Sequence, residues 1–106
     1  MSTSYPNTNL YIDGRWQPAA SGDTIDVINP ANEEVIGTVA RAGTSDLDEA
    51  LSAADKAFKI WKNTSAFDRY KILRKAADLL RKRADIIAQI MTIEQGKPLA
   101  ESKGET

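Results

Sequence analysis

Leu47-Asp48-Glu49-Ala50-Leu51-Ser52-Ala53-Ala54-Asp55-Lys56-Ala57-Phe58-Lys59-Ile60-Trp61 places Leu47, Ala50, Leu51, Ala54, Ala57, Phe58 and Trp61 at i, i+3, i+4, i+7 spacings. That is one face of an α-helix. Ser45 with Asp48 predicts a capping-box start. Asp46, Asp48 and Glu49 then fall at the positive end of the helix dipole, and Lys56, Lys59 and Lys62 near its negative end.

Upstream of this helix the period is two. Leu10-Tyr11-Ile12 is β-prone, Asp13-Gly14 is a two-residue hairpin turn, and Arg15-Trp16 returns as the partner strand. Ile25 and Val27 alternate with Thr24 and Asp26 up to Asn29-Pro30, which predicts a strand with one buried face. Glu34 to Arg41 is a further strand, bounded by Gly43-Thr44-Ser45.

Downstream, Asn63-Thr64-Ser65 is a polar turn, and Ser65 with Asp68 repeats the helix-start signal. Tyr70, Leu73, Ala76, Ala77, Leu80, Ala84, Ile87 and Met91 carry a stripe as far as Gly96-Lys97-Pro98, a helix stop. One unbroken helix there would run about 30 residues and about 45 Å, so a kink or break near Arg83 to Asp85 is expected. Pro98 then opens a further helix, Leu99 to Thr106. The expectation for the chain alone is an α+β piece: short antiparallel strands followed by two to three amphipathic helices, in one structural unit over residues 1–106.

The 106 residues carry 14 Lys plus Arg, 15 Asp plus Glu, no cysteine and no histidine. No disulfide, thiolate nucleophile, Cys-based zinc site or imidazole base can be built from them. The glycines, at 14, 22, 37, 43, 96 and 104, form neither a dinucleotide fingerprint nor a phosphate loop. Most carboxylates fall at helix starts or on solvent faces, and every lysine on a polar face or in a turn, so none stands out as an acid/base or Schiff-base group.

From Arg69 to Arg83 seven cations face one acid, Asp78. Nucleic-acid modules add a domain-wide excess of base and several stacking aromatics, so this stripe reads instead as side chains laid over a core edge and paired with neighbouring acids. Met1 to Thr8 lacks a charged n-region and an apolar h-region, and no run approaches membrane-spanning length. With no cysteine, a reducing, cytoplasmic setting is expected, with no nucleic-acid or membrane partner.

Three ordered stretches resemble the aldehyde dehydrogenase family. They are Leu10 to Trp16, then Val27-Ile28-Asn29-Pro30-Ala31 with Glu34 to Ala40, then Thr92-Ile93-Glu94-Gln95-Gly96-Lys97-Pro98-Leu99-Ala100-Glu101. Gln95 and the segment Leu99 to Glu105 look most like the succinate-semialdehyde dehydrogenase branch. The resemblance implies an α/β, aldehyde dehydrogenase-like fold in which this chain is the N-terminal part of the cofactor-binding domain, with the catalytic domain absent. The partners it implies are the remainder of that chain, an aldehyde substrate, NAD or NADP, and further copies in a homo-oligomer.

In the family a cysteine thiolate attacks the aldehyde, hydride passes to the nicotinamide, and a glutamate-activated water releases the acid. None of those groups is assigned a position in this sequence, so no catalytic or cofactor-binding residue is expected here and the chain alone is expected to be inactive. Many members also hold a monovalent cation, and the matching positions are the backbone carbonyl of Ile28 and the side chain of Glu94, with a further ligand elsewhere. Read without the family, Glu94 ends a helix and Ile28 is a strand residue. The alternative function is a standalone interaction module that associates with itself or with full-length subunits.

Overall fold

The computed structural model describes residues 4–106. Met1 to Thr3, part of the opening read above for a leader, lie outside the described residues.

β1 (Leu10–Ile12) and β2 (Arg15–Gln17) form the opening hairpin in the register Leu10 to Gln17, Tyr11 to Trp16 and Ile12 to Arg15. Both turn residues have positive φ, 51° at Asp13 and 77° at Gly14. This is the backbone of a type I′ turn, whose twist matches that of the two strands. Tyr11 and Trp16, directly opposite, bring their rings to 4.9 Å. β3 (Thr24–Asn29) and β4 (Glu34–Ala40) make a second two-stranded sheet. The connection between them, residues 30–33, is too short for anything but antiparallel pairing.

Four helices follow: α1 (Thr44–Trp61), α2 (Ala66–Lys82), α3 (Ala84–Gln95) and α4 (Leu99–Glu105). The expected two to three become four because the long stripe divides and the Pro98 start also holds. The division comes at Arg83, whose φ of −103° and ψ of 8° end α2 and begin α3, its N–H donating to the carbonyls of Leu79 and Leu80. At the far end of α3 Gly96 adopts φ 70° and donates to Thr92 O at 2.8 Å, a left-handed cap.

The start of α1 corrects the sequence reading. Gly43, not Ser45, is the N-cap, and Asp46 at the third helical position accepts the Gly43 N–H at 2.9 Å. The same carboxylate also accepts the Ala20 N–H at 3.0 Å, and that second partner from another part of the chain selects the earlier start. At α2 the expected cap is found: Ser65 Oγ accepts the Asp68 N–H at 3.1 Å.

Contacts gather in two compact units. Residues 7–26 and 38–64 make up one; the described part of residues 1–6, with 27–37 and 65–106, makes up the other. In the first, Ile12 and Ala19 are the buried apolar residues, and Thr8 bridges to Val39 in parallel. In the second, Ala88 is buried, and α3 packs on α4 through the Thr92 and Ser102 hydroxyls, 2.8 Å apart. Both units leave large apolar side chains in solvent, Phe58 at 60% and Leu73 at 63% exposure among them. The strand face expected to be buried is likewise only partly covered, since Val27 is half-buried while Ile25 is exposed.

Candidate functional site: the Asn-Pro turn and the end of helix α3

The second unit joins the two turns that sequence reading singled out. Asn29 closes the first of them twice, its Oδ1 accepting the Ala31 N–H at 2.9 Å and its carbonyl the Glu33 N–H at 2.8 Å. Asn32 Oδ1 takes the Glu34 N–H at 3.1 Å, so short polar side chains, not packing, set this loop.

Gly96 sits directly on that loop. A Cβ at this position would stand 2.9 Å from Pro30 Cγ and 3.1 Å from Ala31 N, so glycine is required for the close approach as well as for the left-handed φ. Lys97 Nζ reaches Glu105 at 2.6 Å and ties the helix stop to α4.

Glu94 lies one residue before the end of α3, where helix carbonyls concentrate negative charge, and no basic residue stands in that last turn. Its Oε2 accepts a hydrogen bond from the Tyr5 hydroxyl at 3.1 Å. Partial burial of that hydroxyl, then the hydrogen bond and the charge of Glu94, raise the Tyr5 pKa above the usual 10.0. Ile28 is exposed and lies in β3, one residue before Asn29. The fold therefore brings the Ile28 and Glu94 segments into one unit, through the contact of Gly96 with Pro30 and Ala31. Tyr5 was missed in the sequence because nothing local marks a tyrosine as the partner of a residue 89 positions away.

Carbonyl and carboxylate oxygens suit a hard cation, and a helix C-terminus adds to the attraction. Among the described residues no three His, Cys, Asp or Glu side chains cluster, so a divalent site built from side chains alone is not present there.

Gly14 and Gly22, with positive φ, sit in separate turns with open space around them. The N–H of Gly43 at the start of α1 is taken by the Asp46 carboxylate, 4% exposed. Three cations of the basic stretch pair along α2: Lys71 with Asp68 at 3.1 Å, and Arg74 and Arg81 with Asp78 at 3.6 and 3.2 Å. No helix among the described residues is long and apolar enough to cross a membrane.

The sequence pattern of the aldehyde dehydrogenase family matches residues 16–106. The chain belongs to that family. It is 50% identical over 95 residues to glutarate-semialdehyde dehydrogenase of Pseudomonas putida, a match covering 90% of this chain and 20% of that protein. Among solved structures, an E. coli NADP-dependent enzyme superposes with a TM-score of 0.91 at 41% identity, over 93% of this chain and 21% of the other. An NAD-dependent aldehyde dehydrogenase from Sinorhizobium meliloti gives 0.90 at 38% identity, over 94% and 20%. This aldehyde dehydrogenase chain thus spans about a fifth of the length of the relatives it matches.

Proposed function

We propose that this chain is the N-terminal part of the cofactor-binding domain of an aldehyde dehydrogenase that oxidises the semialdehyde of a short dicarboxylic acid with NAD or NADP. The observation that carries the reading is the family match over residues 16–106 at a fifth of the relatives' length. Succinate semialdehyde, suggested by the closing segment, and glutarate semialdehyde, for which the P. putida relative is named, differ by one methylene. A pocket separates such substrates by roughly 10- to 200-fold at most. The complete protein is read as a cytoplasmic homo-oligomer, after the family resemblance.

Bound NAD or NADP would supply the hydride acceptor. The nucleophile belongs to the remainder of the polypeptide, since this chain has no cysteine, and the family resemblance places the base for water there as well. Its own contribution is structural: it fixes the Asn-Pro turn against the end of α3. There the Ile28 carbonyl and the Glu94 carboxylate are proposed to supply two oxygen ligands to a monovalent cation. Support comes from the unbalanced acid in the last turn of α3.

The test is the polypeptide from the complete reading frame, assayed for NAD and NADP reduction with both semialdehydes. Turnover is expected there and none from residues 1–106 alone. Adding NAD is expected to leave the melting temperature of the 106-residue chain unchanged, since ligand stabilisation needs a native-state site. Turnover by the short chain, or none by the long one, would overturn the reading. For the cation, potassium in place of tetramethylammonium is expected to raise the melting temperature of the long polypeptide, an effect absent in Glu94→Gln.

A further inference from the structure

Asp13-Gly14 is the only place in the chain where an aspartate or asparagine is followed by glycine. The backbone nitrogen after an aspartate can close a five-membered ring on the side-chain Cγ, and glycine leaves that nitrogen unhindered because it has no Cβ. Elsewhere the nitrogen is shielded. Thr24 and Val27, which follow Asp23 and Asp26, are β-branched and lie in β3, and the remaining aspartates lie within α1, α2 and α3.

Asp13 and Gly14 are both exposed, and the space around Gly14 is open. The Asp13 carboxylate has no hydrogen-bond or ionic partner among the described residues. Little holds the turn itself. β1 and β2 are three residues each and form a sheet of two strands only, an arrangement that is marginal by itself in water. For the Gly14 nitrogen to swing onto Asp13, only the terminal pair of the ladder, Ile12 with Arg15, has to part. The groove beside the turn is lined on its α1 side by Ala50, Ala53, Ala54 and Ala57, small side chains that leave room for this movement. Opening at the end of a short ladder lies at the low end of local unfolding free energies.

We propose that Asp13-Gly14 is a site of spontaneous isoaspartate formation. The Gly14 nitrogen attacks Cγ of the protonated Asp13 carboxyl, the N–Cγ bond forms, and the carboxyl hydroxyl leaves with the amide proton as water. The succinimide so formed then takes water back. Attack of water at Cγ restores aspartate. Attack at the former peptide carbonyl breaks the old C–N bond and leaves Gly14 joined through the Asp13 side chain. One water is lost and one gained, so the product is an isomer and no cofactor is needed. It carries one more carbon in the main chain and a free α-carboxylate in the turn. A type I′ turn fits its strands with two residues of ordinary length, so the Ile12–Arg15 register is lost with it.

The experiment incubates the folded polypeptide from the complete reading frame at physiological temperature and neutral pH in heavy-oxygen water. Trypsin in ordinary water then releases residues 1–15, where Asp13 is the only acidic residue, and residues 16–41, which carry Asp23 and Asp26. Labelled isoaspartate, placed by its diagnostic electron-transfer fragments, is expected at residue 13 severalfold above the level at Asp23 and Asp26. It is expected to be absent at that position in Asp13→Glu, whose longer side chain would have to close a six-membered ring. Equal or lower levels at residue 13, or isomer still formed there in Asp13→Glu, would overturn the proposal. Hydrogen exchange of the isomerised fraction, separated by chromatography, is expected to show protection lost over residues 10–17. Retained protection there would overturn the loss of register.

Discussion

The carboxylate of Asp46 accepts the backbone N–H of Ala20 at 3.0 Å, across 26 residues, while holding the N–H of Gly43 at 2.9 Å. One buried side chain thereby starts α1 and fastens the loop after β2 to it. Charge-assisted hydrogen bonds of this kind contribute more than neutral ones, and removing the acceptor leaves part-buried donors unpaired.

Asp46→Ala is expected to destabilise the first unit by about 2 kcal/mol, from loss of the cap together with the Ala20 bond. Amide hydrogen exchange gives the sharper readout. Ala20 and Gly43 should both lose protection in Asp46→Ala, while Asp46→Asn retains part of it through its remaining carbonyl oxygen. Loss of protection at Gly43 alone would show that the long-range bond contributes nothing.

Gly96 meets two requirements at once. A side chain at φ 70° costs about 1–2 kcal/mol, and its Cβ would also press on Pro30 Cγ at 2.9 Å. Gly96→Ala is therefore expected to cost about 2–3 kcal/mol, more than the backbone penalty alone. The double variant Gly96→Ala with Pro30→Ala should recover the part owed to Pro30 Cγ and leave the φ part together with the 3.1 Å approach to Ala31 N. Denaturant unfolding of the four variants as a cycle would measure that recovery.

The order of elements was legible because local chemistry sets it. Asp13-Gly14 dictates its turn, Ser65 its cap, Gly96 its helix stop, and the length of the stripe through Arg83 demands a break that the structure supplies. The end of α1 nearest Gly43 was misread because Asp46 is chosen by Ala20, a residue far away in sequence, over the equally plausible Ser45. Tyr5 was illegible for the same reason, its partner being Glu94. The apolar face of α1 was legible as a stripe but not as exposed. Periodicity says which residues seek cover, and the described residues leave Leu47, Leu51, Phe58 and Trp61 exposed.

Thr92 and Ser102 join α3 to α4 through hydroxyls 2.8 Å apart, Ser102 being fully buried. Because either hydroxyl can donate, Ser102→Ala leaves one hydroxyl without its partner and is expected to cost about 1 kcal/mol. Ser102→Val adds bulk where there is no room and should cost about 1–3 kcal/mol more. If valine were tolerated as well as alanine, the α3–α4 contact would have to be looser than the burial of Ser102 implies. Thermal unfolding followed by circular dichroism distinguishes the two.

Tyr5 gives the second unit a dependence on alkaline pH. Its hydroxyl is held protonated beyond 10.0, first by burial and then by Glu94 as acceptor and as a neighbouring charge. Because the folded state keeps the proton longer than the unfolded state, the stabilising effect is complete below 10.0 and is lost as pH rises from there through the folded value. Subtracting the Tyr5→Phe curve from that of the parent chain in an absorbance titration at alkaline pH isolates this phenol. Its midpoint should lie above 10.0 and fall in Glu94→Gln without returning fully, since burial, the larger cause, remains. A full return to 10.0 in Glu94→Gln would assign the whole shift to the carboxylate, and no change would mean that the 3.1 Å bond is not made in solution.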